Sequence, residues 1–252
     1  MDSKLRWRSQ SVDLSYLIDH ARNTESSNQK GKVCAFLGLS HTHHDIHISY
    51  DKAYSMNALL ADTARSILVN EMHGVDMLLQ AGTAAPNRRL TPNDDALPSW
   101  APDWTIPEDP LHHAFLSALA LPLTSAAGLQ RAVNPFFLPD SHGNENRILV
   151  LSGVKIATLR AVLQDKTTQS WRTFSTDSER FTVTSTAIGR QGDEVWIFDG
   201  VKWPLLMRQE YGGTRVLLAP AMVHESQGMA VPGVMFGKDW EREWRREALQ
   251  IV

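Results

Sequence analysis

Apolar positions in the first third of the chain recur at helical spacing. In SVDLSYLIDHAR (11–22), Val12, Tyr16, Leu17 and Ile18 fall near one helical face. The polar NTESSNQKGK that follows predicts a loop, and VCAFLGL (33–39) predicts a short buried helix or strand ending at Gly38. Asp51 is placed to cap a helix running to Leu68, with Tyr54, Ala58, Leu59, Ala61, Ala64 and Leu68 on one stripe. Val75 to Leu79 adds a helical turn or two, closed by Gly82. Between Thr83 and Pro110 the prolines at 86, 92, 98, 102, 107 and 110 make regular structure improbable, which predicts an ordered connector pinned by tryptophans. LHHAFLSALAL (111–121) reads as one more short helix, ended by Pro122.

Past Asn146 the period changes from helical to alternating. RILVLSGVKIATLRAV, RFTVTST, DEVWIFDG, KWPLLMRQ, TRVLLAPAMV and AVPGVMFG are strand-like runs. Gly192-Asp193, Asp199-Gly200 and Gly212-Gly213 are hairpin signals. These runs predict a small antiparallel barrel or curled sheet, with Trp240 to Ile251 as a closing helix. The fold class is α+β: a helical part with its Pro/Trp connector over 1–130 and a β part over 131–252, forming one compact unit.

Composition changes this picture only by exclusion. The chain has 252 residues and a formal charge of −3, without the basic footprint that nucleic-acid binding or an anionic membrane surface requires. The alternating signs from Lys238 to Glu247 predict a solvated helix. A single cysteine, Cys34, excludes an internal disulfide framework and a thiolate zinc cage, and its apolar neighbours predict burial. MDSKLRWRSQ has no apolar h-region and no stretch reaches 18 apolar residues, so no membrane insertion and a cytoplasmic location are expected.

HTHHDIH (41–47) is the densest titratable stretch. His41, His43, Asp45 and His47 alternate onto one face, but no HExxH or distant Cys/His pattern completes a metal site. It is read as a solvated loop, with no metal. There is no GxSxG, no Gly-rich phosphate loop and no dinucleotide fingerprint, so no cofactor is implied. Asp94-Asp95 sits in a Pro/Asn turn and reads as a cap or loop.

The best-defined constellation is LPSWAPDWT (97–105), where Trp100 and Trp104 flank Pro102-Asp103. One reading is a structural clasp in which the indoles pack and Asp103 accepts N–H bonds. The other is a wall of an apolar cavity between the two halves, lined by Trp104, Phe115, Phe137 and Trp203. In that cavity His224 and Glu225, with Asp103, are the candidate catalytic groups, because an imidazole near neutral pH can exchange a proton or hydrogen-bond a carbonyl.

GKVCAFLGL (31–39), ARSIL (64–68), LLQAG (78–82) and above all LPSWAPDWT resemble the fungal heterokaryon-incompatibility (HET) domain family. So do RFTVTST, GDEVWIFDGVKWPLLMR and AMVHESQGM (221–229). The resemblance spans roughly residues 28–230. It departs where TAIGR (186–190) shortens a family segment and where VHESQ replaces the family's VHGIM. The resemblance covers the region downstream of the family's amino-terminal module, which carries incompatibility signalling. It therefore implies recruitment, an interaction piece or a remnant that has lost its function. The recruited reading is a cofactor-independent cyclase or isomerase of fungal specialised metabolism acting on an apolar small molecule. Its reaction would be a pericyclic step of Diels–Alder type, accelerated by preorganisation. The other reading is a non-enzymatic interaction or regulatory module. Oligomeric state is left open.

Overall fold

The computed structural model describes residues 12–51, 53–82, 96–107, 135–140, 143, 145, 147–166, 171–178, 180–185, 189–225 and 245–252. Three α-helices come first: α1 (Leu14–Ala21), α2 (Gln29–Leu37) and α3 (Met56–Asn70), followed by a 3-10 segment, Gly74–Gln80. α1 buries Leu14, Leu17, Ile18 and Ala21, the i, i+3, i+4, i+7 stripe of an amphipathic helix. The cap of α3 is Ser55, whose Oγ accepts from Ala58 N at 3.0 Å, rather than Asp51. Asp51 instead closes a turn by accepting from Ala53 N at 3.1 Å.

α1 is held between charges that oppose its dipole. At its start the side chain of Asp13 makes no capping bond; the carboxylate of Glu71 does so from across the structure, accepting from Leu14 N at 2.6 Å and Ser15 N at 3.2 Å. At its end the ammonium of Lys32 donates to Arg22 O at 2.6 Å. Anion at the amino end and cation at the carboxyl end are the favourable arrangement.

Eight strands follow: β1 (Phe136–Leu138), β2 (Ile148–Lys166), β3 (Trp171–Thr176), β4 (Phe181–Ser185), β5 (Glu194–Phe198), β6 (Leu205–Gln209), β7 (Arg215–Glu225) and β8 (Arg246–Ile251). They run β1-β2-β3-β4-β7-β6-β5, and β5 pairs back onto β2, so β2, β3, β4, β7, β6 and β5 close a six-stranded ring. All pairs are antiparallel except a single β7–β8 bridge, Arg215 with Ile251. The 19-residue β2 makes closure possible. Its first half pairs with β8 and β5, its second half with β3, and register shifts at Leu159/Val162 and Val162/Gln164 bend it between the two. Asp199-Gly200 and Gly212-Gly213 lie in the β5–β6 and β6–β7 turns, with positive φ at the glycines.

β5 is buried along its whole length, and charges at its ends fasten it to four neighbours. Asp193 takes both Nε and Nη2 of Arg208 on β6 at 2.9 Å. Glu194 meets Arg215 on β7 at 2.8 Å and Lys155 on β2 at 3.3 Å. Asp199 meets Arg246 on β8 at 2.6 Å.

Several expectations are corrected here. Arg246–Ile251 is a strand and not part of a closing helix: Leu249 and Ile251 are buried with Gln250 exposed between them, the period of a strand laid on β2. Cys34 is only partly buried. β1 and β3 were not foreseen. AVPGVMFG (230–237), LHHAFLSALAL (111–121), Asp94-Asp95 and most of the 238–247 charge run lie outside the described residues.

Candidate functional site

Two places concentrate the chemistry: the seam between the halves, and the corner where the histidine loop meets the helices. At the seam, LPSWAPDWT is buried from Leu97 to Trp104. Ser99 wedges between β7 and β8. Its N–H donates to Val252 O at 3.1 Å, its Oγ accepts from Leu217 N at 2.9 Å, and its hydroxyl donates to Val252 O. Trp100 is fully buried and donates Nε1–H to Arg147 O at 3.0 Å, while its ring lies 5.4 Å from that of Phe137. Trp104, also buried, donates Nε1–H to Gln80 Oε1 at 3.0 Å. The polar handle of each indole is thus used within the protein. Asp103 accepts from Thr105 N at 3.1 Å and from the Thr105 hydroxyl, a turn-closing role.

Backbone meets backbone elsewhere along this seam. Gly82 has φ +80°, and a methyl group on its Cα would stand 2.0 Å from Leu218 O on β7, so only glycine fits. Nearby, Lys202 pairs with Asp76 at 2.9 Å.

The remaining residues named from sequence are scattered. Trp203 is buried between β5 and β6. His224 and Glu225 end β7, opposite Thr182 and Phe181 of β4. Burial pushes the His224 imidazole below its ordinary pKa, leaving it neutral at physiological pH. Six residues of β7, about 20 Å at strand rise, separate His224 from Leu218, where Gly82 docks two residues beyond the Trp104 partner Gln80. Trp100 and Phe137 are brought together. Phe115 lies outside the described residues.

The histidine corner is built from residues the sequence did not single out. The strand-like alternation of 41–47 holds: His41, His43, Asp45 and His47 are exposed. The opposite face turns inward, with Ile46 packing on the core and the His44 side chain 1% exposed. His44 Nδ1 lies 2.9 Å from Ser66 Oγ, which also accepts from Asn70 Nδ2 at 3.0 Å. His44 Nε2 stands 3.3 Å from Glu71 Oε1 without hydrogen-bond alignment. Oε2 of Glu71 accepts from Ser15 Oγ at 2.6 Å. The Ser66 hydroxyl donates to or accepts from Nδ1 according to the tautomer, and Nε2 lies on the side of the carboxylate. Burial, with a smaller contribution from His43, lowers the His44 pKa against the opposing pull of Asp13. Burial raises that of Glu71 against its hydrogen bonds from Ser15 and Leu14. A signal for this site existed: Ile46 marked which face of the loop turned inward, and Glu71 sits just past the carboxyl end of α3, where a carboxylate is unfavourable unless used elsewhere.

Among the described residues no group of three His, Cys, Asp or Glu side chains could hold a metal ion, and no helix is long and apolar enough to cross a membrane. No protein-family model, no curated protein and no solved structure matches the chain.

Proposed function

We propose that the chain is an interaction module, related to the carboxy-terminal region of HET-family proteins, that binds a protein partner through the outer face of its helical half. The observation that carries this reading is where apolar side chains meet solvent. Ten large ones are exposed among the described residues, and six (Tyr16, Leu39, Ile48, Tyr50, Val69 and Met72) lie on the segments around the histidine corner. Exposed apolar groups concentrated on one part of a protein mark contact surfaces. The close backbone approach at Gly82 and the indole N–H groups already engaged on Gln80 and Arg147 support a seam that fastens rather than encloses.

The second reading, a cofactor-independent cyclase or isomerase of pericyclic type, draws on the Trp100–Phe137 pair and the neutral His224. It needs a chamber that unites these groups.

A photocrosslinking residue at Met72, compared with one at the fully exposed Tyr211 on the barrel, separates the two. In the native host, position 72 is expected to capture one discrete polypeptide and position 211 none, and Val69→Ser is expected to cut the yield at least five-fold. Equal capture at both positions, or none, overturns the interaction reading. Co-purification of an apolar metabolite that the protein converts would establish the enzyme.

A further inference from the structure

His44 is the one member of the histidine loop whose side chain is withdrawn from water, and it reaches two helices at once. Through Ser66 and Asn70 it touches α3; through Glu71, whose carboxylate caps α1, it touches the start of α1. Elsewhere the loop is held by Ile46 packed on the core, by an edge contact of His47 with the Tyr54 ring at 5.9 Å, and by His41 N–H donating to Val12 O at 3.2 Å and Ile46 N–H to His44 O at 3.0 Å, while every second residue faces solvent. We propose that His44 is a proton-operated latch: neutral, it holds residues 41–47 against α1 and α3, and once charged it leaves its site and frees the loop.

The charge and hydrogen-bond inventory sets the direction. Charging His44 turns both ring nitrogens into donors, so its contacts with Ser66 and Glu71 have to accommodate an ion out of contact with water. The ionisable groups facing His44 are Glu71 past the end of α3, Asp13 before α1 and its neighbour His43. Asp13 favours the charged ring, as does the Glu71 carboxyl, 3.3 Å from Nε2, when ionised; burial and His43 disfavour it, and burial is the largest influence. The open loop, with an ordinary imidazole, binds more protons than the closed one, so acid favours opening below about pH 6.5. Glu71 opposes this, because burial raises its pKa in the closed form. Its bonds to Leu14 and Ser15 remain when the loop leaves, so its change is partial while that of His44 is complete. The latch concerns the loop itself and operates whatever the helical face binds.

Amide hydrogen exchange of Ile46 and His41 in the whole chain, expressed as protection relative to the intrinsic rate, reads the latch. Protection is expected to fall several-fold, up to about ten-fold, between pH 7.5 and 5.5 in the native protein and to be independent of pH in His44→Gln. The His44 ring resonances of the native protein, which need no variant, are expected to titrate below about 6.5. Protection that ignores pH, an equal fall in His44→Gln, or a His44 midpoint at or above the free-imidazole value overturns the proposal.

Discussion

Glu71 in the helical half and Glu194 in the barrel are the same residue type, both almost entirely withdrawn from water, and their acidities move in opposite directions. Burial pushes both carboxyls up. At Glu194 the Arg215 guanidinium, the Trp196 N–H and the Lys155 ammonium outweigh burial and bring the pKa below the ordinary value. At Glu71 the partners are two backbone N–H groups, a hydroxyl and a neutral imidazole, and burial prevails. The lesson is that a fixed positive partner, and not depth, decides whether a buried carboxylate behaves as a permanent ion.

The two halves should therefore answer pH differently. A carboxyl with a depressed folded pKa contributes stability that is present above the unfolded value and lost as pH falls through the folded one, so the Glu194 contribution is in place at neutral pH and disappears only below the ordinary glutamate range. His44, also depressed, contributes above about pH 6.5 and loses that contribution as pH falls. Glu71, raised, contributes most below its unfolded value and loses that as pH rises through the folded one. Near pH 5 to 6.5 His44 and Glu71 respond in the helical half and His224 responds in the barrel, while Glu194 stays indifferent.

The largest effect that would break this contrast is in the barrel. Arg208→Met leaves Asp193, 1% exposed, without its bidentate partner. Urea denaturation at pH 7 is expected to show a loss of about 3 kcal/mol; a loss under about 1 kcal/mol would mean that the charges are ornamental. In the helical half, Glu71→Gln keeps an acceptor for Leu14 N–H and removes only the anion from the start of α1. The expected loss is about 1 kcal/mol, with faster hydrogen exchange in α1 and unchanged exchange in β5. Equal losses from the two substitutions would erase the distinction.

How far the sequence could foresee these arrangements depended on how local their causes were. β2 and β4 to β7 were legible because alternation and glycine turns act within a few residues. β3 was not: WRTFST is short and polar on both sides of Phe174, and its strand state comes from pairing with β2 and β4. Arg246–Ile251 was misread because its charge spacing suits a helix, yet Leu249 and Ile251 follow the period of β2 beneath them. The clasp reading of LPSWAPDWT agrees with its contacts, although Ser99, the residue that joins β7 to β8, carried no signal beyond its place in the motif. The histidine loop showed its period, and Ile46 marked its inward face, but what that face would meet was not legible. Glu71, Ser66 and Ser15 meet His44 only after α1 and α3 have packed, a long-range event that local spacing does not encode.

The contrast between the two carboxylates is tested most directly by following their side-chain carboxyl carbons by NMR from pH 2 to 8 in the native protein. The midpoint of Glu194 should fall below the ordinary glutamate value of about 4.3, and that of Glu71 should lie above it. Midpoints on the same side of that value would contradict the account, because burial or local charge alone would then govern both halves.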